Sequence, residues 1–393
     1  MDCEAEYLLH LLGAYIREEE PGIRTDTDWG KLLQLAHSHS VPGILCDMAM
    51  RYDLCTNEKE AAFAREICMS TIAGFAHRAA LADHFLELLA ENGIDHIVMK
   101  GYVLKDYYPV PELRTFGDID IVIRPEDRKK CHELMLSLGY PVKTDWEPVY
   151  SYKRPEEHYE LHTELMEVDL SEKADYRAYF RNMWQHTVAD GEHRYQFRPE
   201  FHFLYLMVHL AKHIIGTGAG IRLFLDVAVF IRHFGDSLDW NWVAGELEKI
   251  GLTFFADTIL AFVQRYFGIE SPLPLPDVAD EVLEELAEYT LCGGVFGQDD
   301  RDSGRNALKT EKEDVSRFRV ILKRMFPAAK TIESRYTYLQ GSPWLLPAAW
   351  IHRLLRTKEK WGLHAEEARN ILAADGNEVR QIRQLYEKIG LRG

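Results

Sequence analysis

The chain has 393 residues, of which 47% are hydrophobic and 28% are charged, and it carries a formal net charge of -17 at pH 7. This composition predicts a globular protein that buries a sizeable core, and it excludes a disordered or fibrous chain. The negative charge disfavours a protein that coats nucleic acid, because contacts to phosphates need a basic surface, and only a local basic cleft is compatible with it.

Cysteine spacing and the N-terminal segment bear on the compartment. The six cysteines are scattered, without a CxxC pair or the Cys/His spacing of a zinc site, so we expect reduced thiols. The first residues are acidic and lack the basic start and apolar run of a signal peptide. No stretch approaches the roughly 20 apolar residues that span a bilayer. These observations predict a cytoplasmic protein with no membrane partner.

The N-terminal part of the chain has helical periodicity. Apolar residues recur at helical spacing within residues 7–15 and 32–36. A long amphipathic run begins near Asn57 and ends at Gly93, a residue type that commonly terminates helices. Residues 1–92 are therefore predicted to form an N-terminal helical region.

Short β-branched runs replace this periodicity after Gly93. The candidate strands are residues 94–99, 119–123, 149–153 and 158–165, and a helix is predicted between residues 125 and 139. We expect residues 94–165 to form a compact α/β unit with a small mixed sheet and helices on one face. Together with the segment that follows, this unit defines a predicted central domain of residues 93–198.

The pattern from residue 199 to residue 393 is almost wholly helical, and this range is predicted to be the C-terminal domain. Helices are predicted near residues 200–214, 222–234, 240–250, 252–267, 278–290, 311–325, 345–356 and 376–389. A polar stretch at residues 297–306 is predicted to be a linker or a mobile loop. The whole chain is thus predicted to be an α+β protein, in which a small mixed sheet is flanked by an N-terminal and a large C-terminal helical region.

Two acidic residues separated by one residue lie at the start of the second candidate strand, and they are the main candidates for a functional site. Side chains alternate along a strand, so Asp118 and Asp120 point to one face while Ile119 and Ile121 point to the other. Two carboxylates about 6–7 Å apart can share a divalent cation. Mg²⁺ suits such a site because it combines one or two carboxylates with water and substrate phosphates. An isolated step of this kind is also typical of an edge strand with surface charges.

The segment around this step resembles a known family. Residues 100–127 read KGYVLKDYYPVPELRTFGDIDIVIRPED. The pattern of Lys-Gly, Tyr-Pro-x-Pro, Arg and Gly-Asp-hydrophobic-Asp is similar to that of a bacterial, largely uncharacterised nucleotidyltransferase-like family in the DNA polymerase beta-like nucleotidyltransferase superfamily. Further segments that resemble the family are HLAKHIIGTGAGIRLFLDVAVFI and MFPAAKTIESRYTYLQGSPWLLPAAWIHRLLR. The resemblance covers about residues 60–360 and implies a nucleotidyltransferase core in the central domain.

The turn after the first strand departs from the wider superfamily. A Gly-Ser pair is usual there, whereas this chain has Gly101 and Tyr102, and the gap to Asp118 is longer than usual. We therefore expect the Gly101 backbone and the charge of Lys100 to bind phosphate, in preference to Tyr102.

The resemblance implies roles for three acids. Asp118 and Asp120 would bind the metal that carries the triphosphate. Glu160, which lies in HYELHTEL and is the third acid of the family pattern, would complete the metal site and act as a general base. Two Mg²⁺ ions are implied, with Mn²⁺ as a substitute. A nucleoside triphosphate would donate its monophosphate to a hydroxyl or similar group of a small-molecule or protein/peptide acceptor, with release of pyrophosphate.

Five further residues are implied to bind the nucleotide or its phosphates, and most have a structural alternative. They are Lys100, Gly101, Arg114, Gly117 and His162. Lys100 could equally be a solvated strand end, Arg114 a cap for the loop, and His162 a structural hydrogen-bond partner.

Two acids and two histidines downstream have weaker signals. Glu164 lies on the same strand face as Glu160 and is predicted to be peripheral, whereas Asp169 competes with Glu160 as the third acid. His209 and His213 lie one helical turn apart, but two histidines do not complete a zinc site. A packed or acceptor-facing histidine pair is therefore preferred.

A charged pair and a basic segment complete the candidates. Arg222 and Asp226 have the spacing of a helix-stabilising pair, while the resemblance places them towards the cleft. Residues 317–360 mix basic and aromatic side chains, which would suit RNA, although a helical core with a basic rim is the commoner arrangement. Nucleic acid is therefore not the expected acceptor, and RNA is kept as an alternative.

Two other functions are compatible with the same acids. A phosphotransferase would move the terminal phosphoryl group at this site, because attack at the α- or γ-phosphate depends on positioning that a sequence does not fix. A non-catalytic nucleotide-binding or antitoxin-like module is the third hypothesis. The presence of all three acids favours an enzyme.

Overall fold

The computed structural model describes residues 1–146, 148–166, 170, 173–216, 218–293, 303–309, 311, 315–333, 336–356 and 361–391. Within these ranges the chain forms helices α1 to α18 around one seven-stranded sheet. None of the described helices combines the length and the hydrophobicity that a membrane-spanning segment requires.

Helices occupy both ends of the chain. The N-terminal ones are α1 (Cys3–Arg17), α2 (Trp29–Ser38), α3 (Pro42–Arg51) and α4 (Glu58–Glu91). Those among the strands are α5 (Gly101–Leu104), α6 (Arg128–Ser137) and α7 (Tyr176–Phe180). The C-terminal ones are α8 (Pro199–Ile215), α9 (Ile221–Phe234), α10 (Trp240–Lys249), α11 (Thr253–Phe267), α12 (Asp280–Gly293), α13 (Ser303–Lys309), α14 (Arg317–Met325), α15 (Ala329–Ile332), α16 (Leu346–Arg356), α17 (Trp361–Ala373) and α18 (Gly376–Lys388).

The sheet is mixed, as predicted. Its strands are β1 (His96–Met99), β2 (Ile119–Ile123), β3 (Val142–Trp146), β4 (Val149–Lys153), β5 (His158–His162), β6 (Thr187–Gly191) and β7 (Arg194–Phe197). Their order is β3-β4-β5-β2-β1-β7-β6. β2 runs antiparallel to β1 and parallel to β5. β1 and β7 form the second parallel pair, and the remaining neighbours are antiparallel.

Strand β2 is buried on both faces. Ile119 and Ile121 pack in a core that also holds Phe85 of α4 and Met135 of α6. Val122 points to the other face, into a core that includes residues of α8 and α9. Helices therefore cover both faces of the sheet, not one face as predicted, because β2 presents apolar side chains on each side.

One apolar core joins helices from the two ends of the chain. It contains Leu8 of α1, Leu45 of α3, Phe224 of α9 and Ile259 of α11, together with Val122 of the sheet. The sheet face that carries Val122 is therefore enclosed by N-terminal and C-terminal helices together. The boundaries at residues 92 and 198 stay a prediction.

The long helix α4 shows why the sequence signals for helix ends were informative. Asn57 accepts hydrogen bonds from the backbone N–H groups of Lys59 and Glu60, and the Glu60 carboxylate accepts one from the N–H of Thr56. This arrangement satisfies donors that the first turn leaves without partners. Gly93 follows the helix with a φ of 59°, which glycine adopts without strain. Both predicted ends are confirmed.

Other boundaries differ from the prediction. Strands β3, β6 and β7 were not predicted. β3 and β6 are sheet edges whose largely polar residues show no clear alternation, and β7 lies between β1 and β6 with only four residues. The helix expected near residues 311–325 begins at Arg317, where Ser316 caps its first turn. Of the predicted linker, residues 297–302 lie outside the described residues, and residues 303–306 belong to α13.

Candidate functional site

Asp118, Asp120 and Glu160 converge on two neighbouring parallel strands. In the pairing of β2 with β5, Asp120 lies directly opposite Glu160. Asp118 stands two residues earlier on the same face, since side chains alternate. A carboxylate oxygen of Glu160 lies within 4.8 Å of one from Asp118, and the same holds for Asp120. The three acids predicted to bind metal are thus neighbours in space.

Two histidines extend this cluster. His158 joins Asp118 and Glu160 in one group, and His162 joins Asp120 and Glu160 in the other, with all ligand atoms of a group within 4.8 Å of one another. Because Glu160 belongs to both groups, it lies between two possible cation positions. Carboxylate oxygens suit Mg²⁺ or Mn²⁺, and imidazole nitrogen adds affinity for transition metals.

Asp120 is the most deeply engaged of the acids. Its Oδ1 atom accepts hydrogen bonds from Lys100 Nζ at 2.6 Å and from His162 Nε2 at 2.9 Å. Burial alone would raise the pKa of Asp120, but the Lys100 ammonium and the His162 hydrogen bond outweigh burial and hold the pKa well below its usual range. The Asp120 carboxyl is therefore ionised at neutral pH.

Lys100 reaches Asp120 from an unusual backbone position. Its φ is 59° and its ψ is -135°, a conformation that residues other than glycine rarely adopt. The Asp120 carboxylate outweighs burial and raises the pKa of Lys100. The predicted solvated strand end does not describe Lys100, whose side chain is 18% exposed and ion-paired.

Glu160 has the opposite electrostatic environment. Burial, and then the charges of Asp120 and Asp118, raise its pKa to about 7. His158 and His162 lie 3.6 Å and 4.0 Å from its two carboxylate oxygens. At neutral pH this carboxyl is therefore divided between its protonated and ionised forms, unlike Asp120.

These residues line a cleft of about 560 Å³ between the sheet and the helical region. The sheet side holds the acids, and the opposite side comes from α8 and α9, with α4 and residues 114–117 completing the rim. Polar residues of the lining are Ser40, Arg78, Lys100, Arg114, Thr115, Asp118, Asp120, Glu160, His162, His209, Lys212, His213, Arg222 and Asp226. A cleft of this volume suits a small ligand.

Arg114 and Asp226 form a buried ion pair in the cleft wall. Their side chains are 4% and 3% exposed. Asp226 accepts hydrogen bonds from Arg114 Nε at 2.9 Å, from Arg114 Nη2 at 2.7 Å and from the Tyr108 hydroxyl at 2.7 Å. Arg114 Nη1 donates to the Thr115 carbonyl. Every nitrogen of this guanidinium is engaged by the protein, so Arg114 caps its loop, and a phosphate contact stays a prediction.

The two glycines of the predicted site differ in their surroundings. A Cβ atom on Gly101 would lie 2.7 Å from Arg114 Nη1, so this glycine makes room for the ion pair. A Cβ atom on Gly117 would meet nothing within 4 Å. The open space of the cleft therefore adjoins Gly117, directly before Asp118.

The helical side of the cleft carries the candidates of weaker signal. His209 and His213 lie 3.1 Å apart through their Nε2 atoms, and burial lowers the pKa of both. No metal-ligand group among the described residues includes them. Arg222 and Asp226 do not form the expected helix pair, because Asp226 binds Arg114 and Arg222 Nη1 donates to the Thr115 carbonyl at 3.1 Å.

His158 and Arg78 were missed by reasoning from the sequence. His158 alternates with Glu160 and His162 along one strand, so the period of two could have identified it. It accepts or donates a hydrogen bond with the Ser151 hydroxyl at 2.7 Å on the neighbouring strand. Arg78 lies in the middle of α4, and no local signal distinguishes it from other helical arginines.

Of the two further acids downstream of Glu160, Glu164 and Asp169, only Glu164 lies among the described residues. Glu164 pairs with Arg177, with 2.6 Å between Oε2 and Nε, and it does not line the cleft. Its placement agrees with a peripheral residue. Asp169 lies outside the described residues.

Comparison with known proteins gives one family. A family model described as "Uncharacterised nucleotidyltransferase" matches residues 25–268, which is more than half of the 393 residues. The match includes β2, β5, α8 and α9, and so both sides of the cleft. No curated protein and no solved structure matches the chain.

Proposed function

The chain belongs to the uncharacterised nucleotidyltransferase family, and from this premise we propose that it transfers a nucleoside monophosphate from a nucleoside triphosphate to an acceptor, with release of pyrophosphate. The observation that carries the proposal is the pairing of Asp120 with Glu160 across β2 and β5, with Asp118 beside them. Three acids on one sheet face suit divalent cations and, through them, a polyphosphate.

Mg²⁺, with Mn²⁺ as a substitute, is the cofactor proposed for this cluster. The donors fit such ions, because they are mainly carboxylate oxygens and Glu160 is shared between two groups. Asp118, Asp120 and Glu160 would hold the ions. When bound, two such ions stabilise charge on the attacking and leaving oxygens of an in-line displacement.

The protein's own side chains support the same chemistry. His162 and Lys100 both donate to Asp120, which fixes the orientation of its carboxylate. The Lys100 ammonium also offsets negative charge that develops on the triphosphate. The pKa of about 7 belongs to Glu160 in the metal-free site; bound cations would keep this carboxylate ionised, and in that form it is the proposed general base for an acceptor hydroxyl.

The cleft also bears on the acceptor. Its volume of about 560 Å³ suits a nucleotide with a small acceptor group, and its sheet side is acidic. A long nucleic acid would bring further phosphates to a protein with a net charge of -17. A small molecule, or a side chain of a peptide or protein, is therefore the proposed acceptor.

The experiment uses the full chain with α-labelled or γ-labelled nucleoside triphosphate, Mg²⁺ and a lysate of the native organism as the source of acceptor. We expect the α-label in a product and pyrophosphate in solution. Glu160→Gln should reduce labelling by about 100-fold or more. Glu164→Gln is the matched control and should label as wild type does, because Glu164 lies outside the cleft.

The label identifies the reaction. Transfer of the γ-label with release of nucleoside diphosphate would replace this proposal with a phosphotransferase. Absence of both labelling and nucleotide binding would leave a module without catalysis. Labelling by Glu160→Gln at the wild-type rate would show that the acidic cluster is not the site.

A further inference from the structure

Two arginines of the cleft have no carboxylate partner. Arg78 of α4 and Arg222 of α9 make no ion pair within 4.0 Å in the described part of the chain. The Nε atom of each is buried and has no hydrogen-bond partner. A guanidinium without a counter-charge in a partly closed cleft is costly, because it loses part of its hydration and no carboxylate compensates its charge.

Both arginines border the segment that leads into Asp118. The Arg78 Cζ atom lies 5.8 Å from the centre of the Phe116 ring. Arg222 Nη1 donates to the carbonyl of Thr115 at 3.1 Å. Residues 115–117 therefore pass between one arginine from α4 and one from α9.

The same segment offers open space and backbone donors. Nothing lies within 4 Å of the position that a Cβ atom on Gly117 would occupy. The backbone N–H groups of Gly117 and Asp118 donate no backbone hydrogen bond among the described residues. Exposed N–H groups beside guanidinium groups are the usual donors for phosphate oxygens.

The geometry points to an anion site that nothing else in this protein accounts for: Arg78 and Arg222, on either side of Gly117, bind the terminal phosphates of the donor nucleotide. This inference rests on the proposed function for the identity of the donor. It explains why these cations are left without carboxylates, although four acids, Asp118, Asp120, Glu160 and Asp226, line the same cleft.

The electrostatics of Arg222 agree with such a site. Burial and the nearby charge of Arg114 lower its pKa to about 10. Arg222 stays charged at neutral pH, and a bound phosphate would stabilise this charged form of its guanidinium.

The test measures binding of inorganic tripolyphosphate to the full chain by titration calorimetry in the presence of a chelator. This probe has no base, sugar or metal, so it isolates the phosphate site. Arg78→Gln and Arg222→Gln are each expected to weaken binding about tenfold or more, and the double variant to abolish it. The controls are Arg65→Gln on α4, about 20 Å from Arg78 along the helix axis, and Arg232→Gln on α9, both exposed.

Each outcome decides the inference. Loss of tripolyphosphate binding in both cleft variants, with wild-type binding in both controls, supports the anion site. If the wild-type chain shows no nucleotidyl transfer, this overturns the proposed function but not the anion site. Wild-type affinity in both cleft variants, or no binding by the wild-type chain, overturns the anion site. If Arg222→Gln does not fold, Arg222→Lys and Arg78→Gln carry the same test, with weaker binding expected for both.

Discussion

Replacement of Glu160 by glutamine tests whether the acidic cluster destabilises the metal-free fold. Burial and the charges of Asp120 and Asp118 raise the pKa of Glu160 from 4.5 to about 7. A carboxyl whose pKa is raised by folding does not change the free energy of unfolding below its unfolded-state pKa, about 4.5. As the pH rises to about 7 it lowers the free energy of unfolding progressively, and above that pH the loss is constant. The full difference corresponds to about 3 kcal/mol. Because the side chain is 25% exposed, we expect about half of this.

The assay is urea denaturation in chelator at pH 4.5 and pH 8. Glu160→Gln should be more stable than wild type by about 1–2 kcal/mol at pH 8 and equal to it at pH 4.5, since glutamine does not ionise. Glu164→Gln is the matched control and should give no gain in stability at pH 8, because the Glu164 carboxylate is paired with Arg177.

Addition of Mn²⁺ or Mg²⁺ should reverse the order of the two proteins. A ligand at a hundred times its dissociation constant stabilises the fold by about 2.7 kcal/mol, and only the wild-type chain keeps all three acids of the proposed metal site. No gain in stability for Glu160→Gln at pH 8 in chelator would contradict a destabilising effect of the Glu160 carboxyl. Equal stabilisation of both proteins by the cations would contradict a metal site that includes Glu160.

Three further changes probe the buried contacts around the cluster. Asp226→Asn leaves the charge of Arg114 without a counter-charge and should lower the free energy of unfolding in urea by about 3–5 kcal/mol. Gly101→Ala places a Cβ atom 2.7 Å from Arg114 Nη1 and should cost about 1–3 kcal/mol in the same assay. Lys100→Met removes the ammonium group 2.6 Å from Asp120. Because this group repels a divalent cation but stabilises the Asp120 carboxylate, the variant should bind Mn²⁺ more tightly in calorimetry and should be less stable without metal in urea denaturation.

The controls for these changes lie on the surface. Asp236→Asn and Gly22→Ala should each change stability by less than about 0.5 kcal/mol, because neither position is buried. Lys59→Met should leave Mn²⁺ binding unchanged. Equal losses of stability in Asp226→Asn and Asp236→Asn would contradict a stabilising role of the buried ion pair. Weaker Mn²⁺ binding by Lys100→Met would contradict repulsion between the Lys100 ammonium and the cation.

The acid pair could be predicted from the sequence because its geometry is local. Alternation along a strand places Asp118 and Asp120 on one face whatever the rest of the fold does. Glu160 is different, since its place opposite Asp120 depends on β2 and β5 being parallel neighbours. The resemblance to a family supplied that assignment, and no local pattern did.

The surroundings of the acids could not be predicted, because they come from distant parts of the chain. Arg114 and Asp226 are 112 residues apart in the sequence, and their pairing depends on how α9 packs against the sheet. The spacing of Arg222 and Asp226 instead indicated a local pair, and tertiary contacts overrode it. The edge strands β3 and β6 lacked a hydrophobic pattern, because edges need little burial.

The cleft has consequences for how the protein moves. Its floor belongs to the sheet and its roof to α8 and α9, so any molecule that fills it contacts both layers at once. A bound ligand would therefore restrict the movement of the sheet and these helices relative to each other. Backbone amide hydrogens of α9 should then exchange with deuterated solvent more slowly in the complex, including those at positions that the ligand never touches.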